Sequence, residues 1–476
     1  METGITSVPE NMGHPNRRVI LGIILIGVAM AVVDGIVVSI ALPTITGYFN
    51  VDVAQSQWVI TAYLVTETSL LLIFGRISEH LGKVRLFMIG FVIFTASSLA
   101  CGLANNLPLL IIFRVVQATG AAMVFSISAA IIFSIFPKGE QGRAMGYLGA
   151  TIAITSIAAP MLGGFITEAL GWEYIFLINV PIGIFLFLLA MKYLKIEETL
   201  QERISMDWIG AITLVGALVT LILLLGELAQ GVRASLLVLI YFLVFLAVLA
   251  LFLMNERKHP LPLLDLTIFR IPAFVIPNVT MILVFIAVFM VNIIGPFYFE
   301  GVMGLTPSQV GMVFLIAPII MVIASPITGW LYDRHESPSY AIAGVLITAC
   351  ALVLLAFAAL QRDIIIIVLA FVPMAIGNAL FQSPNNTEIM RGLPPSKLGI
   401  ASSVSATVRN LGMTLGVSIS SILLTYQLQS AGYSGPVIGA DPVLLSWSIS
   451  TIMVVAAVLC FGGTIVLLLR KFFVAR

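Results

Sequence analysis

The sequence predicts an all-α membrane protein with fourteen spanning helices. Three observations predict it. The composition is 60% hydrophobic and only 9% charged, where a soluble chain carries about 25% charged residues. Apolar runs of spanning length follow one another along nearly the whole chain. Positive charge in the loops between them falls almost entirely on one side.

Apolar runs of about 18 residues or more are spanning helices by default. They lie at 19–42, 57–77, 86–104, 108–135, 144–167, 174–194, 208–228, 234–254, 272–299, 309–331, 339–359, 363–384, 400–426 and 444–470. Arg17 and Arg18 precede the first run. No small-residue cleavage site follows it, so it reads as an uncleaved first span. With both termini cytoplasmic, all but four of the 23 Lys and Arg fall inside. The exceptions are Arg233 and Arg362 in outer loops and Arg114 and Arg409 within spans. One miscounted span would invert every later loop, so this bias supports an even count near fourteen. No basic stretch with interleaved aromatics points to nucleic acid.

The chain repeats itself. GRISEHLG (75–82) returns in altered form as GWLYDRHE (329–336), and PKGEQGRA (137–144) returns as PPSKLGIA (394–401), offsets of 254 and 257. Two six-helix bundles, spans 1–6 and 9–14, account for both pairs, with spans 7 and 8 inserted between them. The expected division is a cytoplasmic tail 1–18, a first bundle 19–194, a linker carrying two extra helices 195–271, a second bundle 272–470 and a cytoplasmic tail 471–476.

Charges inside the spans carry the chemistry. Asp34 lies some sixteen residues into span 1, or roughly 24 Å of helix, past the middle toward the outside. It must face a cavity or a partner, because an unpaired carboxylate in lipid is expensive. Glu67 is a second acid, about ten residues into span 2, and Glu300 stands at the outer end of span 9. Carboxyl groups kept from bulk water can pass between protonated and ionised forms near neutral pH. They can therefore carry protons and attract cations. Glu168 and Glu227 lie at outer span ends and read as solvated. His14, His80, His259 and His335 fall in the tail or in cytoplasmic loops, which leaves proton work to carboxylates. Cys101, Cys350 and Cys460 have neither metal nor disulfide spacing and read as buried small apolar residues. No nucleophile triad, H-E-x-x-H or cofactor loop suggests an enzyme.

Several motifs carry a resemblance. GRISEHLGKVR (75–85) resembles the signature loop G-x-L-A-D-R-x-G-R-K between spans 2 and 3 of the major facilitator superfamily, with Glu79 for Asp and His80 for Arg. FRVVQATGAAM (113–123) resembles its span-4 motif, in which Arg114 and Gln117 match and Ala118 replaces a glycine. GYLGATIAITSIAAPMLGG (146–164) resembles the antiporter motif of span 5. There Gly146, Pro160, Gly163 and Gly164 match, and Thr155 and Ala159 replace glycines with other small residues. WEYIFLINVPIG (172–183), FQSPNNTE (381–388) and VRNLG (408–412) resemble, more narrowly, the fourteen-span drug:proton antiporter family. DGIVVSIALP (34–43) resembles its span-1 motif, whose aspartate stands where Asp34 stands. The resemblance covers nearly the whole chain after residue 18.

The resemblance implies the major facilitator fold and a multidrug efflux transporter of the cell membrane, working by alternating access. Proton-coupled efflux would carry amphipathic, cationic compounds. The expected roles are proton coupling and cation binding by Asp34, Glu67 and Glu300, with Arg114 and Gln117 as the span-4 motif. Gly75, Glu79, Gly82, Lys83, Arg85, Asp333 and Arg334 would form a cytoplasmic gating loop, whose carboxylate could sit at a helix N-terminus. The proton gradient replaces any cofactor, no metal is expected, and the partners are small-molecule substrate, protons and lipid, with the protein a monomer. An alternative is export of a specific metabolite or anionic compound, with Arg114 and Arg409 as ligands.

Overall fold

The computed structural model describes residues 15–137, 141–196, 207–229, 236–259, 264, 266–335, 337–393, 398–433 and 435–474. The tail 1–14, the linker segment 197–206, residues 138–140 and 394–397 of the second repeated pair, and Arg233 lie outside them.

The described residues form helices and short turns. The helices are α1 Arg17–Phe49, α2 Val53–Ser56, α3 Trp58–Leu81, α4 Lys83–Gly102, α5 Leu107–Ile135, α6 Gln141–Ala169, α7 Tyr174–Leu177 and α8 Asn179–Tyr193. They continue as α9 Trp208–Ala229, α10 Leu236–Lys258, α11 Pro272–Gly301, α12 Pro307–His335, α13 Ser339–Gln361, α14 Ile364–Arg391, α15 Leu398–Ser430 and α16 Pro442–Val474. Thirteen helical stretches are long and apolar enough to cross a membrane among the described residues. The fifth expected span falls on α6, whose described apolar part runs over Ile154–Ala169.

Most helices outrun the apolar cores that mark them. The first extends to Phe49, so Asp34 sits near its midpoint rather than toward one end. The loop expected at 75–85 is nearly absent. The third helix continues to Leu81, and the chain reverses at one residue, Gly82, with φ +88° before the next helix starts at Lys83. Only glycine takes that conformation without strain. Glu79 therefore belongs to the last turn of α3, not to a helix N-terminus of its own segment, and Asp333 and Arg334 likewise belong to the last turn of α12. The side chains of Glu79 and Asp333 lie outside the described ones; Lys83 is half-buried and Arg85 exposed.

The internal repeat is written into the helix ends. Asn50 and Gly304 both adopt positive φ, 254 residues apart. Beside them, Asp52 pairs with Gln55 in a capping box at the start of α2. Thr306 pairs with Gln309 in the same way at the start of α12, again 254 residues on. Asn106 caps α5 through Leu109 N–H at 2.9 Å. Its counterpart 257 residues later, Asp363, caps α14 through Ile365 N–H at 2.8 Å. These groups take up backbone donors that a helix start leaves without partners.

Helix crossings repeat as well. Where α4 meets α5, a Cβ on Gly120 would stand 2.7 Å from the Gly90 carbonyl oxygen. Where α13 meets α14, a Cβ on Gly377 would stand 2.7 Å from the Gly344 carbonyl oxygen. Backbone-to-backbone packing of this kind is how helices associate where no hydrophobic effect separates helix from lipid.

The helices α9 and α10 pack on each other, and α9 also packs against α3 and α15. Asp207 ties their ends, accepting from Gly210 N–H at 2.7 Å and from the Asn255 amide at 2.5 Å. The helices before α9 meet those after α10 through α1 with α11, α3 with α15 and α6 with α12. Cys101 and Cys460 are buried, but Cys350 is exposed, which corrects the reading of all three as buried.

Candidate functional site: a closed ion pair

Asp34 is fully buried, at 0% exposure. Helix α1 brings it against α5 and α8. Arg114 Nη1 donates to its Oδ2 at 2.5 Å, and its Oδ1 accepts from Gln117 Nε2 at 2.9 Å and Asn179 Nδ2 at 3.0 Å. Arg114 is equally enclosed, at 1% exposure. Its Nε donates to the Val59 carbonyl at 3.0 Å and its Nη1 also to Gln117 Oε1 at 2.8 Å. Its guanidinium lies 4.0 Å from the centroid of the Tyr63 ring. Gln117 Nε2 reaches Ser98 Oγ at 2.7 Å as well. The cluster thus joins α1, α3, α4, α5 and α8. Neutral charge and a full set of donors let two ions remain in an apolar bundle.

Asp34 therefore faces a partner, not an open cavity. Arg114 has its named donors engaged, so it offers no free guanidinium to a substrate in this conformation. Two further members, Asn179 and Ser98, escape the sequence reading. Asn179 was visible within WEYIFLINVPIG, where a lone amide in an apolar run is itself a signal.

Glu67 stands apart from this cluster. It is half-buried on α3, two turns past Val59 and one past Tyr63, so all three share a helix face. Its charge interacts with Arg409 of α15, and with Arg114 and Asp34. Arg409 is exposed, and α3 and α15 pack across the seam between the two sets of helices. Glu300 lies at the far end of α11, half-buried, with its Oε1 buried and unpartnered. It does not join the Asp34 cluster. The positions 257 after Arg114 and 254 after Cys101 are Phe371 and Leu355, which line a small apolar cavity with Val291, Tyr298 and Met453. The second set of helices thus carries no copy of the charge cluster there.

The motif of span 5 lies at a helix crossing. Pro160, Gly163 and Gly164 are buried. A Cβ on Gly163 would collide with Val37 of α1, one on Gly164 with the Pro307 carbonyl of α12, and one on Gly311 with the Pro160 carbonyl. Glu168, expected to be merely solvated, instead accepts from Ser308 N–H at 3.0 Å. It sits at the N-terminus of α12, where the helix dipole favours a carboxylate. Trp172, next to this crossing, packs on Tyr48 and Phe49, which places the crossing at the end of the bundle where α1 finishes. Gly146 falls on α6 outside the described side chains.

Residues 24–208 and 205–417 match the family profile of the Major Facilitator Superfamily. The riboflavin transporter RibZ of Clostridioides difficile (strain 630) is 33% identical over 464 residues, covering 97% of this chain and 98% of its own. The multidrug resistance protein Stp of Mycobacterium tuberculosis (strain CDC 1551 / Oshkosh) is 29% identical, covering 85% of this chain and 75% of its own. A bacterial homologue of the human lysosomal transporter Spinster has the same fold, with a TM-score of 0.67 at 15% identity over 96% of this chain and 97% of its own. The chain belongs to the Major Facilitator Superfamily and is a multi-pass membrane transporter of small molecules, not an enzyme.

Proposed function

We propose that this chain is a proton-driven exporter of small organic compounds, within the fourteen-span drug:proton antiporter branch of its superfamily. The observation that carries this reading is the Asp34–Arg114 pair. A carboxylate sealed from water, held by one cation and two amides, is a two-state element. Ionised, it binds Arg114 and locks α1 to α5 and α8. Protonated, it no longer needs the guanidinium, which keeps the Val59 carbonyl and Gln117 Oε1. The proton enters at Asp34 from the outer side, loosens the lock, and leaves on the inner side when the pair re-forms. The exporter direction is supported by the span-5 motif. The relatives named above, a riboflavin transporter and a multidrug resistance protein, support an organic cargo.

Asp34 in this arrangement acts on transport through Arg114 and α3 rather than by touching the cargo. Tyr63 under the guanidinium and Glu67 one turn along α3 give a direct line from the proton site to the seam. The inner side is the end at which α1 begins, as the loop charges require.

The test is flux from proteoliposomes holding riboflavin or ethidium at equal concentration inside and out, with an imposed pH gradient, acid outside. Wild-type protein should export against the concentration gradient only while the pH gradient lasts. Asp34→Asn should abolish that dependence and leave at most downhill exchange. Gradient-driven export by Asp34→Asn equal to wild type would overturn the assignment.

A further inference from the structure

Arg114 is held from more directions than its bond to Asp34. Its Nε donates to the Val59 carbonyl at 3.0 Å, and its guanidinium carbon lies 4.0 Å from the centroid of the Tyr63 ring. Val59 and Tyr63 are one turn apart on α3, so one helix grips both the edge and the face of the group. A second ring, Phe176 of α7, lies 5.5 Å from the same carbon. Both rings are buried, at 1% and 0% exposure. Rings within about 6 Å of a cation attract it through their negative faces, most strongly where water is excluded. The Tyr63 hydroxyl is buried and has no hydrogen-bond partner among the described residues. A buried hydroxyl without a partner costs stability. The useful part of Tyr63 is therefore its ring face, not its hydroxyl.

The attraction differs between the two states of Asp34. While Asp34 is ionised, its negative charge offsets much of the guanidinium's field at the ring faces. Once Asp34 takes a proton, Arg114 is a buried charge with no anion bonded to it, which is expensive. The rings then feel the full cation and lower that cost. We propose that Tyr63, with Phe176, is a positioning residue of the proton site: the two rings hold Arg114 in place while Asp34 is protonated, and so favour proton uptake. This rests on the proton-driven reading above and deepens it. It also names the joint that opens. The guanidinium stays with α3 through Val59 and Tyr63, and α1 is the helix let go.

Other titratable groups near Asp34 are few. Cys101 of α4 donates to Gln117 Oε1 at 3.6 Å. Glu67 lies one turn beyond Tyr63, and Arg409 stands on α15. Of the other helices packed on α1, α2 and α7 carry no charge. Helices α6, α8, α11 and α12 carry it only toward their ends, at Arg143 and Glu168, Lys192, Glu300, and Asp333 to His335. Phe176 in turn meets Trp172 edge-on at 6.3 Å, and Trp172 packs on Tyr48 and Phe49. The held guanidinium is thus registered against the end of the bundle where α1 finishes.

The test is an equilibrium pH titration of purified protein in lipid nanodiscs, with neither gradient nor cargo present. The readout is the infrared band of the protonated carboxyl group, taken as the part that Asp34→Asn removes, and its midpoint pH. Tyr63→Leu should lower the midpoint by about 0.5–1 pH unit, a fraction of a desolvated cation–π attraction. Phe176→Leu should lower it by less, because that ring lies farther off. Tyr63→Phe keeps the ring and should keep the midpoint. Phenylalanines carrying one, two and three ring fluorines at position 63 should then lower it stepwise. Fluorine weakens the negative face of the ring while barely changing its size, so a packing role would give no such series, even if Tyr63→Leu fails to fold. A midpoint unmoved by fluorination, a rise in Tyr63→Leu, or no band in the wild type that depends on Asp34 overturns the proposal. If the series holds while export ignores the pH gradient, the coupling reading falls and the aromatic hold stands. If export is proton-driven and the series is flat, the hold alone falls.

Discussion

Asp34 and Arg114 come from positions 80 residues apart and end within one hydrogen bond of each other. Burying both ions is tolerable because each cancels the other and the amides of Gln117 and Asn179 fill the remaining acceptor positions. Removing one partner should leave the other uncompensated, at a cost of about 3–5 kcal/mol of stability. Asp34→Asn and Arg114→Gln should therefore each lower the unfolding midpoint, and the double variant should lose much less than the sum. Strict additivity in that cycle would mean that the two do not act as a unit. The double variant also divides structure from function: it should recover stability while export stays independent of the pH gradient. How much of this site was legible is uneven. Charges in apolar runs announce themselves, so Asp34, Glu67, Arg114 and Arg409 stand out in the sequence. Which charge meets which does not, because that depends on how α1, α5 and α8 pack. Asn179 is marked as a lone amide in an apolar run, whereas Ser98 is lost among small polar residues that helices in a bundle carry for many reasons.

At the scale of the elements, the repeat is deeper than the charged loops that reveal it. Matching caps need not use the same residue: Asn50 and Gly304 share a backbone conformation, and Asp52 and Thr306 share an acceptor, so residue-by-residue likeness is weak where structural likeness is strong. Matching crossings do use the same residue, because only glycine lets the carbonyl of one helix lie against the backbone of the other. Gly120→Ala and Gly377→Ala should each force a crossing apart and destabilise by about 1–3 kcal/mol, the usual cost of overpacking. The two should be alike, since the crossings are copies. Gly22 of α1 has no neighbour within 4 Å of an added Cβ, so Gly22→Ala should be neutral or gain up to about 1 kcal/mol from helix propensity. Thermal unfolding in detergent measures all three. An effect at Gly377 unlike that at Gly120 would break the correspondence. The boundaries of elements were less legible than their existence. An apolar window ends where polar residues begin, whereas α3 continues through Gly75, Ser78 and Glu79 until Gly82 makes the turn.

For the whole molecule, the arrangement at the end where α1 finishes defines a state. Gly164 touches the Pro307 carbonyl, Gly311 touches that of Pro160, and Glu168 caps the start of α12. Both halves therefore touch through their backbones at that end, and alternating access requires this junction to open. A tether across it should arrest the cycle. With Cys350→Ser removing the exposed native thiol, the pair Glu168→Cys and Ser308→Cys should react with a short thiol-cleavable bis-methanethiosulfonate linker. Export should stop on linking and return after reduction, while a variant with only one of the two cysteines should keep working through the same treatment. The Glu168→Gln change alone removes one charge–dipole interaction worth roughly 0.3–1 kcal/mol. It should shift the balance toward the state open at that end without stopping transport. Undiminished export by the fully linked double-cysteine protein would show that the halves need not part at this crossing. The rocking of one half against the other would then have to be replaced by a movement that leaves α6 and α12 together.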